Sequence, residues 1–369
     1  MAANHLREIA ELGQAVWLDN ISRQLVEDGG LERLITEDGL TGVTSNPSIF
    51  EKAMGGSDRY DEDLAEAAGR GLDAEGVFLE LAFRDIRAGA ELLRGVYDET
   101  EGRDGYVSFE LAPGLADDAQ GSIESAKLLR ERIDRPNVLI KVPGTEAGVT
   151  AFEELTAAGV SVNVTLLFAV PRYEEVAEAY VRGLERRLEN GERIDRVASV
   201  ASFFVSRVDS TIDKRLEELG RGDLAGKAGV ANAKLAYEAF GRIFSGERWE
   251  RLAAAGAHVQ RPLWASTSTK NPAYPDTLYV DELIGPDTVN TMPDATLEAA
   301  RAHANPARTV DRDVEAAHAH MDALREAGVD VDEIVGVTLV EEGVAAFAKS
   351  YDSMIETIGE KARSVAAAR

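Results

Sequence analysis

Cysteine is absent from the 369-residue chain, so neither a disulfide framework nor thiolate chemistry is open to it. The five histidines are scattered, and no two have the spacing of zinc ligands. No run approaches the roughly 18 apolar residues of a membrane span. The opening residues Met1 to Glu8 carry no apolar signal core, and a cytoplasmic location is expected. Positive charge is scarce: 40 Lys and Arg stand against 66 Asp and Glu, a net charge of −26. That balance argues against nucleic acid or an anionic membrane as a partner. An anionic substrate must instead be captured by a few local cations against the overall field. Linkers rich in Pro, Gly and Ser are missing, as are low-complexity segments, so residues 1–369 are read as one domain.

What is present is a regular alternation. Candidate strands fall at 14–18, 42–44, 106–111, 137–142, 161–168, 196–203, 262–266 and 287–291. Amphipathic stretches such as 120–133 and 172–188 lie between them. Alternating strands and helices imply a parallel sheet, and eight such units fit a closed (β/α)8 TIM barrel better than an open sheet. Extra N- and C-terminal helices are expected around it. The chain exceeds a minimal barrel, and the excess is assigned to a helical stretch at 204–257 and a helical extension from about 310 to 369. The Ala-rich tail 361–369 is expected to fray.

One residue breaks the pattern of the fourth strand. In Val138-Leu139-Ile140-Lys141-Val142 every side chain but Lys141 is apolar. Such a run suits a strand covered on both faces. Alternation points Leu139 and Lys141 one way, and Val138, Ile140 and Val142 the other. An ammonium there is costly, and burial lowers its pKa. A free lysine of pKa ~10.4 is neutral in roughly one molecule in 2,500 at pH 7. Desolvation toward ~7–8 makes the amine a usable nucleophile for a carbonyl. A lysine that snorkels to water or pairs with a carboxylate is the competing reading.

In a barrel the chemistry gathers at the C-terminal ends of the strands. Those ends carry Asp19, Asn46, Glu110, Lys141, Asn163 with Thr165, Ser202 with Arg207, and the tract Ser266-Thr267-Ser268-Thr269-Lys270. Each has a structural alternative. Asp19 and Asn46 suit caps or turns, and Glu110 suits neutralising Lys141. Arg207 suits an exposed helix position near Asp209 and Asp213, and hydroxyls can satisfy the local backbone. All of these alternatives holding at once, each at a strand end, is the less economical account.

The stretches Thr44-Ser45-Asn46-Pro47-Ser48, Val138 to Pro143, Asn163 to Phe168, Ser202 to Arg207 and Trp264 to Pro272 resemble those of transaldolases, of the long bacterial type. The similarity spans roughly residues 10 to 300. It implies a cofactor-free and metal-free barrel enzyme that acts on sugar phosphates through a lysine Schiff base. The reaction implied is reversible transfer of dihydroxyacetone from sedoheptulose 7-phosphate to glyceraldehyde 3-phosphate, within the pentose phosphate pathway. By resemblance Lys141 forms the imine, Asp19 is the acid and base at the C4 hydroxyl, and Glu110 with Thr165 holds a catalytic water. Asn46, Asn163 and Ser202 would bind the dihydroxyacetone hydroxyls. Arg207, Ser268 and Lys270 would bind phosphate, with Ser266 the alternative to Ser268. Lys270 stands where many relatives have arginine, so the charge stays but the bidentate fork is lost.

Three other functions compete. A lyase of the same barrel type that releases free dihydroxyacetone, like fructose-6-phosphate aldolase, has Gln where this chain has Glu110. A non-catalytic sugar-phosphate or protein binder has no use for Lys141, Asp19 and Glu110 together. A fused phosphoglucose isomerase needs a second domain for which the chain is too short. Monomer and homodimer both remain compatible with the sequence.

Overall fold

The computed structural model describes residues 4–367. Eight parallel strands close into a barrel in sequence order: β1 (Gln14–Leu18), β2 (Gly42–Thr44), β3 (Tyr106–Glu110), β4 (Val138–Pro143), β5 (Val162–Leu167), β6 (Ser199–Phe204), β7 (Arg261–Ala265) and β8 (Thr288–Met292). β8 pairs back onto β1, Gln14 opposite Thr288 and Leu18 opposite Met292. The expected (β/α)8 barrel is therefore the observed fold.

Side chains sort as strand geometry requires. Val138, Ile140 and Val142 pack outward into the main core with the surrounding helices. Leu139 points inward, with Trp17, Val200, Leu263 and Val289. These inward groups plug the lower barrel. The Trp17 indole donates to Asp104 at 2.9 Å, and the Arg261 guanidinium meets the same carboxylate at 3.0 Å. Gly42 makes room for the indole: a Cβ there would lie 2.3 Å from the ring. One layer above the plug the inward positions turn polar, and that layer becomes the site.

Excess chain sits in three places, one more than the sequence suggests. The stretch at 204–257 forms helices Ser206–Glu218, Ala228–Ile243 and Gly246–Ala254. The C-terminal part forms Val314–Glu326, a short helix Val331–Glu333, a π-helical turn Ile334–Thr338 and a long helix Leu339–Ala367. Helix thus covers 361–367 of the tail expected to fray, and residues 368–369 lie outside the described residues. The third excess is the β2–β3 connection, with helices Pro47–Gly56, Asp61–Gly69, Ala74–Leu92 and Arg94–Glu99. Periodicity alone does not say how often a helix folds back within one crossover. The C-terminal helix lies across the first three of these helices, burying Met354, Ile358 and Ala362.

Candidate active site

The strand register brings the polar layer together. Glu110 stands opposite Lys141 across β3 and β4, and Lys141 opposite Asn163 across β4 and β5. Lys141 is buried, and its ammonium donates to the Ser45 carbonyl at 2.9 Å and to the Glu110 carboxylate. Above it opens a cavity of about 370 Å³. Asp19, Asn46, Glu110, Lys141, Thr165, Ser202, Arg207, Ser266, Ser268 and Lys270 all line it.

Asp19 is held by hydroxyls. Thr44 Oγ1 donates to its Oδ1 at 2.6 Å, and Thr44 in turn lies 2.7 Å from Thr291 Oγ1. Asn46 serves two purposes at once. Its Oδ1 accepts from the Ile49 N–H at 3.1 Å and caps the Pro47–Gly56 helix, which begins on proline. Its Nδ2 faces Asp19 Oδ2 at 3.5 Å. The cap and the site residue are one side chain.

Asn163 is not among the residues that line the cavity. It is fully buried; its Nδ2 donates to Ser108 Oγ at 3.1 Å and its Oδ1 accepts from Ser202 at 2.7 Å. Ser202 lines the cavity, and Asn163, expected beside it, reaches the cavity through the Ser202 hydroxyl it accepts from.

Burial tunes the two acids. It lifts the Glu110 carboxyl to about 7, although the charge of Lys141 and its hydrogen bond pull the other way; the negative Asp19 adds to the rise. Asp19 is raised too, by burial first, with Lys141, Thr44 and Asn46 opposing and Asp294 adding. A carboxyl poised near neutrality beside an amine can pass a proton in either direction.

The rim opposite is cationic. Arg207 sits in the first turn of the Ser206–Glu218 helix with its guanidinium over the Phe204 ring, 5.3 Å from the centroid. Burial lowers its pKa, and the nearby Glu342 raises it. Asp209 and Asp213 do not pair with it: Asp209 accepts from Gly229 N–H and Tyr279, and Asp213 from Gly226 N–H and Tyr274. Lys270 Nζ is 2.6 Å from Ser268 Oγ. Ser266, in a left-handed conformation, has its hydroxyl 2.8 Å from Ser206 Oγ. The serine beside the second cation is therefore Ser268.

Residues 16–358 match the family described as Transaldolase/Fructose-6-phosphate aldolase. The chain belongs to this family. Among similar proteins is Transaldolase 1 of Streptomyces avermitilis, 48% identical over 363 residues, 97% of this chain and 96% of that one. Transaldolase of Parafrankia sp. is 49% identical over 365 residues, covering 98% of this chain and 99% of its own. Transaldolase 2 of Nostoc sp. is 44% identical over 376 residues, covering 98% and 99%. Against the family's sugar-phosphate chemistry the cavity divides simply, with an amine and two acids at the floor and two cations at the rim.

Some lining residues escape a reading of strand ends. Thr44 is visible in the Thr44-Ser45-Asn46-Pro47-Ser48 motif, but its bond to Asp19 is not. Thr291 is the second-last residue of β8, a strand whose end contributes no residue to the expected site. Gly343, Val344, Ala346, Phe347 and Ser350 come from the C-terminal helix. Nothing in their spacing says where that helix lies. Among the described residues no group of three His, Asp or Glu is arranged to hold a metal ion, and no helix is long and apolar enough to cross a membrane.

Proposed function

We propose that the protein is a transaldolase working through a Schiff base on Lys141. The observation that carries this is a buried amine at the cavity floor with Glu110 against it and Asp19 alongside. The neutral amine attacks C2 of the ketose phosphate, and the carbinolamine loses water to give the iminium. Glu110 and Thr165 flank the amine and handle the protons of that water. Asp19 takes the C4 hydroxyl proton. The C3–C4 bond breaks, its electron pair moves into the iminium, and an aldose phosphate leaves. The enamine then attacks a second aldehyde, Asp19 returns its proton to the new alkoxide, and hydrolysis frees Lys141. The Thr44 and Thr291 hydroxyls orient Asp19, and Asn163 positions Ser202 for the C1 hydroxyl. Asn46 supplies an amide donor to the dihydroxyacetone unit.

Arg207, Lys270 and Ser268 hold the phosphate, which suits a protein whose net charge of −26 repels anions elsewhere. The donor and acceptor pair that fits is sedoheptulose 7-phosphate with glyceraldehyde 3-phosphate, exchanged in the cytoplasm. The barrel and its C-terminal helices act as one domain, as monomer or homodimer.

Borohydride reduction with fructose 6-phosphate, followed by peptide mass mapping, tests the assignment. A dihydroxyacetone-derived mass is expected on the Lys141 peptide. Lys141→Ala should neither trap nor turn over. Trapping on another lysine would overturn it.

A further inference from the structure

One wall of the cavity is built by a helix that takes no part in the barrel. Gly343, Ala346, Phe347 and Ser350 line it from the C-terminal helix Leu339–Ala367. Positions three, four and seven apart share one helical face. Gly343 is buried, and a Cβ there would lie 3.2 Å from Leu166 Cδ2. Glycine thus lets the helix close on the end of β5, where Leu166, in a left-handed conformation beside Thr165, lies in a break of the strand's register.

Beyond the cavity the helix is tied down along its length. Ser353 and Thr357 both donate to Glu51, at 2.7 and 3.1 Å. Lys361 pairs with Asp61 at 2.9 Å and donates to the Met54 carbonyl at 3.0 Å. Tyr351 donates to Glu75 at 2.8 Å and meets Phe78 edge to face. Met354 and Ile358 are fully buried. These ties describe a fixed wall.

A sugar phosphate must stretch from Lys141 at the floor to Arg207 and Lys270 at the rim, past this wall. The cavity, about 370 Å³, is close to the lower end of the ~300–1,000 Å³ typical of ligand sites. In so small a space the side chains of this wall bear on how long a chain fits. Phe347 is the aromatic residue that the helix contributes to the lining, and Ser350, one turn on, adds a hydroxyl.

We propose that Phe347 and Ser350 are specificity-determining residues that select the acceptor aldose phosphate. Phe347 sets the chain length accepted, and Ser350 offers a hydrogen bond to an acceptor hydroxyl. This rests on the transfer reading above. Three- and four-carbon aldose phosphates fit beneath the ring, whereas a five-carbon chain requires it to give way.

The test is kcat/KM for glyceraldehyde 3-phosphate, erythrose 4-phosphate and ribose 5-phosphate, with fructose 6-phosphate or sedoheptulose 7-phosphate as donor. Phe347→Ala should raise the ratio for the five-carbon over the three-carbon acceptor by about tenfold or more, the scale of pocket-size discrimination. Phe347→Trp should lower that ratio. Ser350→Ala should reduce kcat/KM for the four-carbon acceptor more than for the three-carbon one. Borohydride trapping of Lys141 by the donor is the control for a folded, loaded site, and Phe347→Leu replaces the alanine variant if that fails to fold. Ratios within twofold of the parent, with trapping intact, would overturn this proposal alone. Loss of trapping in the parent protein would overturn the transfer reading itself.

Discussion

Glu110 and Lys141 face each other across neighbouring parallel strands, paired residue to residue, and their charged ends touch at the bottom of the barrel cavity. Burial favours the neutral acid, while the lysine favours the anion, and the balance leaves Glu110 near neutrality. In the proposed mechanism the pair exchanges protons as well as neutralising charge.

Activity should register this titration. Glu110 above its usual range is protonated below about 7 and ionised above it. The kcat/KM profile for fructose 6-phosphate should then show an acid limb with its inflection near that value, since the free enzyme's groups govern that ratio. Glu110→Gln keeps the shape and removes the acceptor oxygen charge. The limb should vanish and transfer should fall. Acceptor-free release of dihydroxyacetone should rise relative to erythrose 4-phosphate-dependent transfer. An unchanged ratio and an unchanged pH profile would reduce Glu110 to a counter-ion.

The hydroxyl on Asp19 makes a second titration testable. Thr44 donates to Asp19 and so lowers its pKa against the rise caused by burial. In Thr44→Val that bond is lost and the Asp19 pKa should climb further. Asp19 must be ionised to take the C4 proton, so the acid limb of kcat should move to higher pH. Carbon–carbon cleavage should slow more at the acid end of the profile than at the alkaline end, because raising the pH re-ionises Asp19. A loss of equal size across the whole pH profile would point to packing instead.

At the rim, Arg207→Ala removes a charge-assisted contact of ~1.5–3 kcal/mol, or roughly ten- to a hundred-fold in binding. Phosphorylated donors should lose this, and unphosphorylated fructose should not. The exposed Lys270 should cost less, and the difference should shrink as salt is added. Equal losses on both kinds of donor would make Arg207 a structural residue.

Much of this was legible in the sequence because the barrel writes itself as a strand period. Gln14–Leu18 and Gly42–Thr44 begin and end where their residues suggest. Misplaced ends have local causes. Val197 and Ala198 are apolar enough for a strand, yet Val197 N–H turns back to the Ile194 carbonyl, and β6 starts at Ser199. Asp287 has a left-handed backbone, and β8 starts one residue later. The inward face of each strand follows from alternation, and with it the meeting of Lys141, Glu110 and Thr165 over one cavity. Access to the cavity does not follow: Asn163 shares Thr165's face but is not among the lining residues. The C-terminal helix shows only that it is amphipathic. Its partner surface, some 300 positions away, leaves no mark in its own pattern.

The tie between Glu51 and Ser353 spans 302 positions, and the barrel seam joins its first strand to its last. Such long-range closure is slow, because chain entropy must be given up before the contacts that reward it exist. On the ribosome, helices 47–92 emerge early but stay uncovered until residues 339–367 have been made. The wall of the catalytic cavity is thus laid down only after all eight strands of the barrel. A chain released early would display the apolar seat of the missing helix, and would leave the floor amine open to water. In this fold, completeness of synthesis is itself a condition for chemistry.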